Sequence, residues 1–249
     1  MDQLPLAVGI HEQITDRNTP SVFNAALQDA QFWDARSPSV EAQVREPLLN
    51  PKEMALPDES AAVAMLSAEP EYVEAFRQAF PAEEGLISMR TLSLAMGAFQ
   101  RQLLTPGSAL DRFIAGDVRA LDSQQLAGLE VFLREGCASC HAGPLLGGQE
   151  IHLKDAYPDV RAGDRFEFRK QLGNTHKFKI APLRNIARTA PYLHDGRYAT
   201  LEDSLGGRSI AYMVREAGVR ETVTLADGEL AQLVAFMESL TAPAIAWGD

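Results

Sequence analysis

The sequence predicts an all-α fold, rich in loops and divided into two domains, and three observations carry that expectation. Apolar residues recur at helical spacing through the middle and end of the chain, with few strand signals. The first 57 residues instead hold turn formers, among them Pro5, Gly9, Asn18, Pro20, Pro38, Pro47, Asn50, Pro51 and Pro57. Thr105-Pro106-Gly107-Ser108 then interrupts the helical pattern and divides the chain into domains at 1–105 and 106–249.

Each element follows from its residues. In the loop-rich start, short helical pieces are expected around Ser21–Ala30, with Ser21 as a cap, and around Ser39–Val44. From Asp58 the spacing turns helical, with Ala61, Met65 and Leu66 on one face. Pro70 opens a second helix through Tyr72, Val73, Phe76 and Phe80 that Pro81 ends. Ser88 to Leu103 reads as an amphipathic helix with Leu92, Ala95, Met96, Phe99 and Leu103 inward. Ser123 opens another, carrying Leu126, Leu129, Val131, Phe132 and Leu133, and Gly136 stops it. The segment from 149 to Lys177 carries no assignable pattern. A closing helix from Asp227 to Leu240 is expected to bury Leu230, Leu233, Val234, Phe236 and Met237.

Gly136-Cys137-Ala138-Ser139-Cys140-His141 is the stretch with chemistry in it. Two cysteines three apart with a histidine directly after form the C-x-x-C-H pattern of covalent haem c attachment. The spacing suits the group: both thiols reach the two vinyls on one porphyrin edge while the adjacent imidazole binds the iron from one face. Cys137 and Cys140 are the only cysteines in the chain, and there are five histidines in all. A thioredoxin-like C-x-x-C would need a βαβ setting, whereas the flanks here are helical. A structural zinc would need four ligands at suitable spacing, and His152, His176 and His194 are scattered. The fold expected is therefore a two-domain c-type cytochrome. The loop Ala142 to Gly148 is placed to cover a porphyrin edge.

Composition narrows the partners. With 34 acidic residues against 23 basic ones the net charge is −11, which argues against nucleic acid and anionic membrane surfaces. No run of 18 apolar residues exists to span a membrane. The first nine residues lack the basic and apolar regions of a signal peptide. Covalent haem c is attached outside the bacterial cytoplasm, so the expected location is periplasmic, and the sequence reads as beginning inside a longer chain.

These pieces together resemble the bacterial di-haem cytochrome c peroxidases, a family that includes the MauG-type enzymes. The resemblance runs over almost the whole chain. It is carried by Arg17-Asn18-Thr19-Pro20, Phe32-Trp33-Asp34, Gln43, Pro51-Lys52-Glu53-Met54, the Cys137 to His141 motif, Ala181-Pro182-Leu183-Arg184-Asn185 and Thr189-Ala190-Pro191-Tyr192-Leu193-His194-Asp195-Gly196. It implies two haems: a C-terminal electron donor, matched by Cys137, Cys140 and His141, and an N-terminal one where hydrogen peroxide is reduced. Trp33 matches the tryptophan lying between them, and Gln43 and Glu53 the polar residues of the peroxide pocket, with Glu53 moving a proton from the inner to the outer peroxide oxygen. Asn18, with the carbonyls of Thr189 and Pro191, matches a calcium site, where oxygen ligands suit a hard cation. His11 sits near a removable distal histidine of the peroxidatic haem. Electrons are expected from a small donor protein such as a cytochrome c or cupredoxin, and a homodimer is expected.

Two departures follow. The family attaches its peroxidatic haem through a second C-x-x-C-H ahead of the Arg17 region, and this chain has one such motif. Either the sequence lacks its N-terminal segment, or the chain is a single-haem electron-transfer cytochrome without peroxidase activity. The position of the donor haem's sixth ligand falls on Arg208, which cannot bind iron. Gly206-Gly207-Arg208 as an insertion brings Tyr212 or Met213 into register, and Met213 is favoured because a thioether raises the potential.

Overall fold

The computed structural model describes residues 3–152, 177–206, 223 and 225–243. The chain is helical. Among the described residues the only paired strands are β1 (Glu150–His152) and β2 (Lys177–Lys179), antiparallel with Ile151 opposite Phe178.

The N-terminal part begins with loops. Residues 3–39 hold two short 3₁₀ turns, Ile10–Glu12 and Ala25–Leu27. The expected Ser21 helix does not form: Ser21 Oγ accepts the Phe23 N–H in a local turn, and Asn24 enters the Ala25–Leu27 turn in the left-handed region. α1 (Val40–Gln43) starts where expected, with Ser39 Oγ accepting the Ala42 N–H, and α2 (Arg45–Leu49) follows directly. α3 (Glu59–Ser67) is capped by the Asp58 carboxylate, and α4 (Pro70–Ala79) has proline at its first position, where no N–H is needed.

α5 (Met89–Gln100) opens on a Ser88–Thr91 capping box. Its inward face keeps only part of the expected apolar stripe: Leu103, just past the helix, is buried and Leu92 and Ala95 are half-buried. Thr91, Gly97 and Gln100 are buried, while Met96 and Phe99 are 42% and 55% exposed. A close approach accompanies this: a Cβ on Gly97 would lie 2.3 Å from Glu41 Oε1, so a larger residue there would have to displace the Glu41 side chain, which is ion-paired with Arg101. With Gly97 turned inward, the 3.6-residue period carries Met96 and Phe99 outward. On α3 and α4, Ala62 and Phe76 are buried while Met65, Tyr72 and Val73 are exposed.

The C-terminal part has one apolar core. α6 (Ala109–Ile114) leads to α7 (Ser123–Arg134), whose cap is Asp122. α7 crosses the closing helix α9 (Glu229–Ser239), burying Val131 and Phe132 against Leu233, Val234, Phe236 and Met237. The Phe132 and Phe236 rings pack 5.2 Å apart. A Cβ on Gly128 would meet the Gln232 carbonyl at 1.9 Å, so the crossing requires glycine there. α8 (Leu201–Gly206) packs Leu201 into the same core.

Buried amides join the two parts. Thr105 Oγ1 accepts from Asn24 Nδ2 at 2.6 Å and from Asn185 Nδ2 at 2.7 Å, while the Thr105 N–H donates to Asn24 Oδ1 at 2.9 Å. Asn185 Oδ1 in turn accepts the Ala242 N–H at 2.9 Å. The break at Thr105–Ser108 is thus a buried junction. Beside it, Arg184 grips Asp111 through two hydrogen bonds of 2.8 and 2.6 Å and holds that carboxyl down to about 2.

Two outcomes follow for stability. Gly128→Ala should lose more than about 3 kcal/mol in chemical denaturation, because the added methyl meets backbone and not a movable side chain. The Asp111 pKa is depressed on folding, so its contribution is present above the unfolded value near 3.8 and is lost as pH falls toward about 2. Asp111→Asn should flatten that acid limb of the stability profile.

Candidate functional site

The site begins where α7 ends. Gly136 adopts φ 80°, a left-handed position that turns the chain out of the helix. Cys137–Ser139 forms a 3₁₀ turn, and the Cys137 carbonyl accepts the N–H groups of Cys140 at 3.2 Å and His141 at 2.9 Å. Both thiols and the imidazole therefore leave one tight turn. His141 Nδ1 donates to the Leu146 carbonyl at 3.0 Å, which fixes the ring and leaves Nε2 as the unprotonated nitrogen. Burial lowers the imidazole pKa, opposed by the carbonyls of Leu146 and Ala181, so the ring is kept neutral, as a metal ligand must be.

The loop after His141 is built to deliver that carbonyl. Leu146 N–H returns to Gly143 and Gly147 N–H to Ala142, both at 3.0 Å. A Cβ on Gly147, at φ 134°, would meet the Ala181 carbonyl at 2.5 Å. Gln149 Nε2 then donates to the Cys140 carbonyl at 2.6 Å.

These groups open onto a cavity of about 290 Å³ with a mostly apolar lining. Cys137, Cys140 and His141 form part of its wall, and Phe132, Leu183, Ile186, Tyr192, Leu201, Leu205, Leu233 and Met237 form much of the rest. Asn18, Thr19, Pro20, Phe23, Asn24, Gln28 and Trp33 close it from the N-terminal part. The walls fit a haem c: two free thiols, one imidazole with an available nitrogen and a broad apolar surface. Gln28 Oε1, a buried acceptor on a wall residue, has no hydrogen-bond partner among the described residues. The other readings of the motif fit less well. Burial, together with the Glu135 charge, pushes the Cys137 thiol up to about 11, and burial raises Cys140, opposite to a redox-active thiolate pair. Among the described residues no cluster of three or more His, Cys, Asp or Glu could hold a zinc.

The remaining site residues separate into two places. Trp33 lies on the cavity wall, its Nε1 donating to the Asn18 carbonyl at 2.9 Å and its ring edge-on to His194 at 6.3 Å. Asn18 is buried; its N–H donates to the His194 carbonyl at 2.8 Å and its Nδ2 to the carbonyls of Leu4 and Pro5 at 3.0 and 3.3 Å. Thr189 and Pro191 line the same cavity as Asn18. Glu53, Gln43 and His11 do not line it. Glu53 accepts from Asn50 Nδ2 at 2.7 Å, and its carbonyl accepts the Ile10 N–H at 2.8 Å, which docks the exposed His11 turn onto the Glu53 loop. Gln43 ends α1, half-buried. Met213, like Tyr212 and Arg208, lies outside the described residues.

Three wall residues escaped the sequence reading: Glu135, Lys179 and Gln28. Glu135 is 2% exposed and takes Arg134 Nε at 2.9 Å. Lys179 is 4% exposed, and burial, opposed by the Asp34 charge, lowers its ammonium to about 8. Lys179 was readable only as one of several cations near the Ala181–Asn185 stretch.

Comparison with known proteins agrees with this geometry. A model of the di-haem cytochrome c peroxidase family matches residues 1–119. The chain is 37% identical over 247 residues to the cytochrome c551 peroxidase of Pseudomonas aeruginosa, covering 96% of this chain and 69% of that one. The chain belongs to the di-haem cytochrome c peroxidase and MauG family. Within it, the methylamine utilization protein MauG of Methylorubrum extorquens is 34% identical over 250 residues, 97% of this chain and 69% of that protein. A MauG-like protein associated with microbial copper homeostasis superposes with a TM-score of 0.80 at 28% identity, over 97% of this chain and 80% of the other. No described helix is long and apolar enough to cross a membrane.

Family membership makes haem c the group these walls take. Trp33→Phe should keep the cavity but leave the Asn18 carbonyl unpaired, lowering stability by about 1 kcal/mol in denaturation of the haem-loaded protein.

Proposed function

We propose that this chain is a cytochrome c peroxidase, which reduces hydrogen peroxide to two waters with two electrons and two protons. The observation that carries the reading is the Cys137–His141 turn, opening onto an apolar cavity with His141 Nε2 available, in a chain whose relatives are named cytochrome c peroxidases. A haem c bound there supplies one-electron transfer between its two oxidation states.

The chain's own residues do the rest. Cys137 and Cys140 hold the group covalently, and His141 orients it because the Leu146 carbonyl fixes its ring. The apolar walls exclude water. Trp33, on the wall that faces the N-terminal part, gives electrons a route from this domain, 106–249, toward the part comprising 1–105. There Glu53 carries the proton between the two peroxide oxygens: Asn50 Nδ2 holds Oε1, which leaves Oε2 for the transfer. Gln43 orients the peroxide. His11, on its exposed turn, would serve as an iron ligand of the peroxidatic haem, and Met213 as one of the donor haem. Asn18 and the carbonyls of Thr189 and Pro191 take a calcium ion, a hard cation that accepts oxygen ligands alone. The protein works in the periplasm as a homodimer, fed by a small cytochrome c or cupredoxin.

Two measurements test this. Glu53→Gln should lower kcat for peroxide by about 10²–10⁴-fold with the covalent haem intact; unchanged turnover would remove Glu53 from the mechanism. Haem per chain, measured by pyridine haemochrome on protein from its natural host, should be two. One haem without peroxide turnover would make the protein a single-haem electron carrier.

A further inference from the structure

Beyond the histidines, three side chains that carry a charge at neutral pH line the cavity: Glu135, Lys179 and Arg184. Arg184 is committed to Asp111 through two hydrogen bonds and also donates to the Pro144 carbonyl. Glu135 is matched by Arg134. Lys179 differs from both. It is almost fully buried, and no side-chain hydrogen bond or ion pair of its ammonium is found among the described residues. The carboxylate that acts on it, Asp34, is already bound at 2.8 Å by Arg36 Nη1. A buried cation in this state is unfavourable unless an anion enters beside it.

The layout of charge says where an anion goes. Glu135, two residues before Cys137, is ion-paired with Arg134, so that pair leaves no cation to receive a carboxylate at the thiol end of the cavity. A haem held by its vinyl edge at Cys137 and Cys140 carries both carboxylates on the opposite edge. Those carboxylates are attracted by the Lys179 ammonium. We propose that Lys179 is the carboxylate-binding end of the cavity, its ammonium receiving a propionate of the haem held by Cys137, Cys140 and His141. This rests on the haem reading of the site.

The position has a consequence for electron transfer. The Lys179 N–H donates to the Trp33 carbonyl at 3.0 Å, so the bound carboxylate lies next to the tryptophan segment. Reduction adds negative charge to the haem, and a cation beside its carboxylate favours the reduced state. Lys179 is therefore a positioning residue that also raises the potential.

The test uses the haem-loaded full chain and the variants K179M, K179Q, K179R and D34N. Resonance Raman reads the propionate bending band, and spectroelectrochemistry reads the midpoint potential. In K179M and K179Q the band should move to lower frequency and the potential should fall, while K179R stays near wild type and D34N leaves the band in place. Haem loss from K179M and K179Q but not from K179R also supports the role, as a requirement for loading. An unchanged band and potential in loaded K179M or K179Q overturns the proposal. So does haem loss from K179R as well, or D34N reproducing K179M, since either makes Lys179 a structural partner. If the wild-type Cys137–Cys140 peptide carries no haem by mass spectrometry, it is the haem reading that fails.

Discussion

The orientation of the His141 imidazole is set by the bond at its Nδ1, and much of the C-terminal half of this protein is arranged around that bond. The bond from His141 Nδ1 to the Leu146 carbonyl needs the 142–148 loop folded back, which needs glycine at 147 where the Ala181 carbonyl approaches. Ala181 is placed by the chain leading to Asn185, and Asn185 is tied to Thr105 and to the end of α9. α9 packs on α7 only because residue 128 has no side chain, and α7 ends at the Cys137–His141 turn.

The electrostatics of the cavity follow a similar economy. An apolar wall raises the energy of every charge on it, so a charge there is favourable only beside a specific partner. Arg184 has Asp111 and Glu135 has Arg134, both within the protein. Lys179 is the exception, and its partner is best sought in the ligand. The same burial keeps both cysteines as thiols and His141 neutral.

The N-terminal part presents a different physical situation. Its helices pack through small and polar positions, such as Gly97 on Glu41, and turn Met96, Phe99, Tyr72 and Val73 to the surface. Periodicity counts apolar residues on a helix face but does not say which face a neighbour covers. An inward stripe was therefore the natural expectation for α5, and the fold keeps only part of it.

The residues alone determined the helical character, most helix starts and the haem-binding motif. These depend on local chemistry: Asp58 and Ser88 cap through their own side chains, proline opens α4, and C-x-x-C-H places two thiols and an imidazole within five residues. What the tertiary structure decided was everything that depends on approach between distant segments. It joined Thr105 to Asn24 and Asn185, across 81 and 80 positions of sequence, and set Lys179 beside Trp33. It also placed Asn18, Thr189 and Pro191 on one wall and left Glu53 and His11 off it. A lysine is marked by burial rather than by its neighbours in sequence, and burial is a property of the folded chain.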